Sequence, residues 1–237
     1  MDLKPISEKI SDKNIIADYY SILDSAYFSN KENDAAFQYF DKALELYIET
    51  ENFYKTAQIR ASLISLNQTI LQREGNSTAL KSMIVEFEKE IEFAKNHKNK
   101  YALSFNTRHL AQIYLPQIND YKKAEELFLE SLSLREEIGF KPYLPASYFS
   151  LGEVADKTEN YDKAIKMYKK SFNLADEIGF VRYQFTARLK IAEIFQKQDR
   201  INKAREYYAD ALKSASSNGY LTGIEEALQK IEALIKK

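Results

Sequence analysis

Residues 161–180 read YDKAIKMYKKSFNLADEIGF, and this stretch decides the fold because near copies of it lie 40 residues before and 40 residues after it. The earlier copy is YKKAEELFLESLSLREEIGF at 121–140, and the later copy is INKAREYYADALKSASSNGY at 201–220. The three stretches superpose without a gap. A fixed period of this length is the sequence signature of a protein built from stacked copies of one supersecondary unit.

Each copy carries a stripe of a small, an aromatic and a small residue, followed by a glycine. In the middle copy these residues are Ala164, Tyr168, Ser171 and Gly179. Positions i, i+4 and i+7 share one face of an α-helix, so we predict a helix in each copy that buries the stripe. Glycine suits the left-handed residue that ends a helix. The equivalent residues are Ala124, Phe128, Ser131 and Gly139 in the earlier copy, and Ala204, Tyr208, Ala211 and Gly219 in the later one.

A second helix is predicted before each copy. The preceding segments are TRHLAQIYLPQIND at 107–120, PASYFSLGEVADKTEN at 145–160 and TARLKIAEIFQKQDR at 186–200, and the first has one extra residue near Pro116. A similar apolar stripe runs along all three segments. The repeating unit is therefore a pair of helices, which we call helix A and helix B.

The helix pair resembles the tetratricopeptide repeat. Leu151 and Gly152 in helix A, a short polar turn, and the Tyr-x2-Ala-x3-Tyr pattern at 161–168 match that family's signature. The usual unit is about 34 residues long. A 40-residue unit is similar to the long-repeat branch that includes Pins-like scaffold proteins and bacterial Rap-like regulators. The resemblance implies an all-α fold, a right-handed superhelix of about five helix pairs.

The N-terminal half carries the pattern more weakly. Ala36, Phe40 and Ala43 repeat the helix B stripe, and Ala36 lies 88 residues before Ala124, which leaves room for one further pair. Its helix A is predicted from Tyr54 to about Leu71, and its helix B from about Ala79 to Lys95 with Ile84, Phe87 and Ile91 on the stripe; residues 73–78 form the turn. We predict one solenoid domain over 1–237, with repeats at about 12–51, 52–97, 98–139, 140–179 and 180–219.

Residues 220–237 are predicted to form a final helix. Its apolar residues have the 3, 4, 3, 4 spacing of a coiled-coil seam, and they are Leu221, Ile224, Leu228, Ile231 and Ile235. Two interpretations stay open at this point. The helix either caps the last repeat, or it forms the seam of a homodimer.

Composition excludes several kinds of site. The chain has no cysteine, which excludes disulfides, cysteine nucleophiles and thiolate metal sites. It has no Gly-rich phosphate loop and no nucleophile elbow, and neither His97 nor His109 has a neighbour at metal-ligand spacing. The 34 basic and 35 acidic residues give no concentrated positive field for nucleic acid. We expect no enzymatic activity, cofactor, metal or nucleic-acid partner.

Export and membrane signals are also missing from the residues given. The first stretch, MDLKPISEKISDKN, lacks the apolar region of a signal peptide. No apolar run approaches the roughly 20 residues needed to cross a bilayer. These features predict a cytoplasmic protein without a membrane partner.

The family resemblance implies that a partner lies along a concave face lined mainly by the A helices. Matching this sequence to the family pattern places six residues there: Arg108, Gln112, Phe149, Glu153, Glu193 and Gln196. This set differs from the lysine- and asparagine-rich clamp of chaperone-binding members. We therefore expect a scaffold that binds a protein or a peptide. The alternative is a peptide-sensing regulatory module of a bacterial signalling or transcription-control system.

Overall fold

The structure is a computed structural model that describes residues 11–30 and 32–235. Within those residues it contains helices joined by short turns and no β-strand. The all-α prediction is therefore confirmed. Contacts divide the chain after Ile113 into two compact units, which are described separately. A single domain over 1–237 stays a prediction.

The first unit contains two helix pairs and a further helix A. Its helices are α1 (Lys13–Ser29), α2 (Asn33–Glu49), α3 (Phe53–Arg73), α4 (Ser77–Asn96) and α5 (Lys100–Ile113). Helices α1, α3 and α5 are A helices, and each B helix packs against the A helices on either side of it in the chain. The pair α3 and α4 lies within two residues of the bounds predicted for the weak second repeat.

The second unit begins with a π-helix, Tyr114–Ile118, followed by α6 (Tyr121–Glu137). A 3₁₀ turn, Lys141–Tyr143, leads into α7 (Leu144–Lys157), α8 (Tyr161–Ile178), α9 (Val181–Lys197), α10 (Ile201–Ser217) and α11 (Leu221–Ile235). The π-helix holds Pro116, where the sequence has its extra residue. A π-turn takes up one more residue than an α-turn, which accounts for the longer spacing there.

The predicted stripes form the cores of both units. Ala164, Tyr168 and Ser171 are fully buried, and the equivalent residues of α2, α6 and α10 are buried as well. Glycine is required beside one of these rings. A Cβ atom on Gly152 would lie 2.6 Å from the Tyr168 ring, closer than a real carbon contact allows. The helix A backbone therefore packs directly on the aromatic ring of helix B.

Helix α4 differs from its predicted stripe. Phe87 is fully buried as expected, but Ile84 and Ile91 are only half-buried. Met83, four residues before Phe87, is buried instead, and so is Glu90, three residues after it. The family spacing is thus kept, while a methionine and a glutamate occupy the positions that are small in the other repeats.

Glycine ends three B helices, as the sequence predicts. Gly179 follows α8 with φ of 75°, and Gly139 and Gly219 take similar left-handed values of 66° and 64°. The left-handed conformation costs a residue with a side chain roughly 1–2 kcal/mol, which glycine avoids.

Helix α11 packs as a cap on the last pair. It buries Ala227 and Leu234, and Ile224 and Ile231 pack partly against the same core. The other two described residues of the predicted seam face solvent: Leu221 is 72% exposed and Leu228 is 44% exposed. The Ile235 side chain lies outside what the structure describes.

Over the described parts of the chain, none of the helices is both long and apolar enough to cross a membrane.

Candidate partner-binding faces of the A helices

Polar contacts join neighbouring A helices in the first unit. Lys55 of α3 donates to Oδ1 of Asp18 in α1 at 2.9 Å. Between α3 and α5, Nδ1 of His109 lies 2.8 Å from Oε1 of Gln68, and Nε2 of Gln68 donates to the His109 carbonyl at 3.3 Å. Because Gln68 is almost fully buried, this reciprocal pair fixes the spacing of the two helices.

A cleft of about 170 Å³ opens among these A helices. We call it the α1–α3–α5 cleft. Most of its wall comes from α3, and the rest comes from α1, α5 and the end of α2. The lining residues are Ser21, Tyr47, Lys55, Gln58, Ile59, Ser62 and Tyr101. Six of these seven side chains are polar, and none of them is a carboxylate.

The Asp18 carboxylate supports this cleft from its edge. It accepts hydrogen bonds from the Tyr47 hydroxyl at 2.6 Å and from Lys55 at 2.9 Å. Burial acts to raise the pKa of Asp18, but the bonds to Tyr47 and Lys55 outweigh burial and hold that pKa below its ordinary value of 3.8. Asp18 therefore stays ionised at neutral pH and fixes the position of Lys55.

The A helices of the second unit, α7, α9 and α11, are joined by ion pairs. Lys197 of α9 donates to Asp156 of α7 at 2.7 Å. Glu193 of α9 accepts from Lys190 of the same helix at 2.8 Å and from Lys230 of α11 at 2.7 Å. Burial acts to raise the pKa of Glu193, but the two lysines outweigh burial and lower that pKa overall. Glu193 thus links the capping helix to α9.

The six predicted groove residues fall in different units. Arg108 and Gln112 belong to α5 of the first unit, where the Arg108 guanidinium donates to Oε1 of Gln112 at 3.2 Å. The other four belong to the A helices α7 and α9 of the second unit. Within each unit, the predicted residues do lie on A helices, and each of the six is half-buried.

Phe149, Glu193 and Gln196 in the second unit contact side chains of neighbouring helices, which the sequence did not predict. Phe149 packs against the rings of Tyr168 and Tyr183 at centroid distances of 5.2 Å and 5.4 Å. Gln196 accepts a hydrogen bond from the Tyr208 hydroxyl at 2.8 Å. The third is Glu193, held by its two lysines. Phe149, Glu193 and Gln196 therefore help to hold helices together.

Glu153 lies near the buried hydroxyl of Tyr168. Burial raises the pKa of Tyr168, and the negative charges of Glu153, Asp156 and Glu193 raise it further. The second unit therefore gathers three carboxylates around one tyrosine on its A-helix side.

Both histidines contact other side chains of the first unit. The His97 ring packs in tilted geometry against the rings of Phe93 and Phe53, at centroid distances of 4.1 Å and 4.7 Å. His109 pairs with Gln68 as described above. Among the residues that the structure describes, no group of three imidazole or carboxylate side chains could hold a metal ion.

Sequence reasoning missed the α1–α3–α5 cleft because it lies where the repeat pattern is weakest. One signal is present in the sequence. Lys55 follows Asp18 by 37 residues, and Lys230 follows Glu193 by the same number. An acid and a lysine separated by nearly one repeat, both on A helices, mark a contact between neighbouring repeats.

Solved structures with the same fold come from several kinds of protein. Aspartyl phosphate phosphatase F from Bacillus subtilis is 17% identical, with a TM-score of 0.59 over 96% of this chain and 62% of that one. A Rap protein in complex with competence and sporulation factor is 18% identical, with a TM-score of 0.62 over 98% of this chain and 67% of that one. The chain thus spans less than two thirds of the phosphatase chain.

A further solved structure has the same fold. PilF from Pseudomonas aeruginosa is 16% identical, with a TM-score of 0.60 over 94% of this chain and 93% of that one. At these identities the likeness shows the fold alone. No curated protein matches the chain in sequence.

Sequence profiles give the family assignment. Two profiles of the tetratricopeptide repeat match residues 101–177 and residues 17–47 and 185–218, which together are more than half of the chain. The matched segments contain helix pairs with the buried small and aromatic stripes described above. The chain belongs to the tetratricopeptide repeat family.

Proposed function

We propose that this chain is a protein-interaction scaffold and not an enzyme, and that it binds a protein or peptide along the A-helix faces of its units. The α1–α3–α5 cleft is the observation that carries the proposal. Three successive A helices wall it, and it offers polar side chains around one apolar residue, Ile59. Polar side chains from three successive A helices offer a bound segment hydrogen-bonding positions that can fix its orientation.

The six groove residues have two roles in this proposal. Arg108, Gln112 and Glu153 are half-buried polar side chains on A helices, and we assign them to partner contact. Phe149, Glu193 and Gln196 have the internal partners described above. We assign these three to positioning the face, because their contacts join different helices, whereas the Arg108–Gln112 bond lies within α5.

Position-dependent cross-linking tests the proposal. A photo-reactive phenylalanine analogue replaces Gln58, Gln112 or Glu153 on the A helices, or Lys169 as a control on the exposed side of helix B α8. We expect one protein from a lysate of the source cell to cross-link to A-helix positions and not to Lys169. Cross-linking at Lys169 alone would contradict the proposal.

Charge reversal provides a second test of the same face. The double variant Arg108→Glu/Glu153→Lys should weaken capture of the cross-linked partner, because both contacts become repulsive. Retained capture would remove Arg108 and Glu153 from the binding surface. Circular dichroism would first establish that the variant is folded.

A peptide-sensing regulatory module is the second candidate. The observation that favours it is the likeness to a Rap protein solved with competence and sporulation factor, which covers 98% of this chain. In this case a bound peptide would change the arrangement of the repeats and pass that change to another protein of a bacterial signalling or transcription-control system. A small-angle scattering curve unchanged at saturating peptide would count against it.

Two further expectations belong to the proposal. One is that the chain works in the cytoplasm. A homodimer would use the outer side of α11, where Leu221 and Leu228 are exposed one heptad apart. Sedimentation velocity would report the association state directly.

A further inference from the structure

We propose that the α1–α3–α5 cleft holds the carboxylate of an acidic side chain from the bound protein or peptide. This inference rests on the proposed function, because it names the chemistry that one part of the A-helix face recognises. It is argued from the size of the cleft, from the hydrogen-bond donors that line it, and from the charge next to it.

The size of the cleft suits a side chain. Its volume of about 170 Å³ is several times the roughly 30 Å³ that one water molecule occupies in the liquid. Its walls include the buried residues Ile59 and Tyr47, which are 5% and 2% exposed. A glutamate or aspartate side chain would place its methylene carbons against Ile59 and its carboxylate among the polar groups.

The lining offers several hydrogen-bond donors, and Lys55 is the one charged residue among those that line the cleft. Lys55 has three N–H donors, of which Asp18 takes one. Gln58 adds a half-buried amide, and Ser62 adds an exposed hydroxyl. No carboxylate is among the lining residues. A ligand group with several acceptor sites and a negative charge matches this set, and a carboxylate has both.

Asp18 makes Lys55 a fixed donor. Its carboxylate accepts hydrogen bonds from both the Tyr47 hydroxyl and Lys55, which holds the lysine at the edge of the cleft. The Lys55 side chain keeps 41% of its surface exposed and can donate a hydrogen bond to a second anion. The incoming carboxylate would share Lys55 with Asp18.

The apolar wall distinguishes a side-chain carboxylate from a chain terminus. A C-terminal carboxylate is attached directly to the backbone and brings no methylene carbons of its own to Ile59. An acidic side chain brings one or two. Burying each methylene strengthens binding about fourfold, which favours the side chain.

Three small blocked amino acids test the inference on the full chain. N-acetylglutamate N-methylamide carries only a side-chain carboxylate, N-acetylglutamine carries only a terminal carboxylate, and N-acetylglutamine N-methylamide carries none. We expect the first to cause saturable NMR shifts at the Gln58 side-chain amide and the Ile59 methyl groups. The dissociation constant should be roughly millimolar for so small a ligand.

Two lysine variants, one a test and the other its matched control, show whether Lys55 contributes to binding. Lys55→Gln should weaken binding of N-acetylglutamate N-methylamide about tenfold or more, because a charge-assisted hydrogen bond is lost. Lys197→Gln removes an equivalent lysine from an A helix, one that also pairs with an aspartate of the preceding A helix, and it should leave binding unchanged. Equal melting temperatures of the two variants would show that Lys55→Gln acts on binding and not on folding.

The possible results distinguish failure of the inference from failure of the proposed function. Shifts that are equal for all three compounds, or unaffected by Lys55→Gln, would overturn the inference. Tighter binding of N-acetylglutamine would overturn the choice of a side-chain carboxylate. If a partner cross-links to the A-helix positions and Lys55→Gln does not weaken its capture, the inference fails and the proposed function stands. If the glutamate derivative binds and no partner cross-links to the A helices, the proposed function fails instead.

Discussion

Tyr208 donates its hydroxyl to Oε1 of Gln196 at 2.8 Å, and this bond ties helix B to helix A within the last pair. One repeat earlier, Tyr168 occupies the same position and is fully buried. Its hydroxyl has no hydrogen-bond partner among the described residues. The residue at the place of Gln196 is Asp156, which pairs with Lys197 instead. Tyr168 and Tyr208 therefore occupy equivalent positions, but of these two hydroxyls only that of Tyr208 is hydrogen-bonded within the described residues.

This contrast predicts opposite effects of the same substitution. Tyr208→Phe should cost about 1 kcal/mol of unfolding free energy, because it breaks a bond and leaves Gln196 without its donor. Tyr168→Phe should be neutral or stabilising, since it removes a buried hydroxyl that has no partner. Urea denaturation of both variants measures the difference. Equal destabilisation by the two changes would contradict the hydrogen-bond assignment.

Gly152→Ala should destabilise the second unit by about 1–3 kcal/mol, because the new methyl group would lie on the Tyr168 ring. Tyr168 is fully buried and has little room to move. The reciprocal change is Ala192→Gly, at the position equivalent to Gly152 in the next repeat, and it adds no atoms. It should cost only about 1 kcal/mol, the usual penalty of glycine inside a helix. Thermal unfolding followed by circular dichroism would rank the two, and a smaller cost for Gly152→Ala would be contrary to the packing described.

Glu193 and Glu90 should respond to pH in opposite directions. The pKa of Glu193 is lowered from its ordinary 4.5, so its ionised form stabilises the fold, and that contribution is lost as pH falls below about 4.5. The destabilisation caused by Glu193→Gln should therefore be full at pH 7 and shrink in acid. Unfolding free energies of wild type and variant, measured from pH 7 down to pH 3, test this.

Glu90 lies beside Arg60, but its burial raises its pKa more than the arginine lowers it, and Glu86 raises it further. The folded state then binds the proton more tightly than the unfolded state, so Glu90 stabilises the fold less as pH rises above 4.5. Relative to wild type, Glu90→Gln should be more favourable at pH 7 than at pH 4. The same pH series gives the answer, and a parallel trend for Glu90→Gln and Glu193→Gln would refute the pair of assignments.

The two sides of α11 should differ sharply in their contribution to stability. Leu234 is 5% exposed, and Leu234→Ala should cost about 2 kcal/mol or more through the cavity it leaves. Leu228 is 44% exposed, and Leu228→Ala should change stability by less than about 0.5 kcal/mol in a monomer. Sedimentation velocity would accompany these measurements. A wild-type dimer that dissociates on Leu228→Ala would identify the outer side of α11 as the seam.

The repeat could be predicted because it depends on local spacing. Phe128, Tyr168 and Tyr208 recur at 40-residue intervals, and burial follows directly from their place on the helix. The signal weakened at α4, where Met83 and Glu90 replace small residues. Residues 48–100, which include α3 and α4, also lie outside the segments that the family profiles match. Helix length and the burial of Phe87 were still predictable there, and the rest of the buried stripe was not.

The binding face could be predicted less well, since family spacing selects a helix face and does not reveal contacts with the next helix. Glu193 was expected to face a partner, but Lys230 approaches it from a helix 37 residues further on. Gln196 was expected to be open, but the Tyr208 hydroxyl reaches it from the following helix. Lys55 and Gln58 were not predicted, because their helix was assigned by inference alone.

The 40-residue register from Tyr161 to Ile201 has a consequence for how the chain can change in length. Both residues begin a B helix after a turn residue with positive φ, Glu159 or Asp199, so the two junctions are built alike. An in-frame duplication of residues 161–200 would join Arg200 to Tyr161 in place of Ile201, at an equivalent junction. Unequal recombination between neighbouring copies could thus lengthen or shorten the array without creating a new turn.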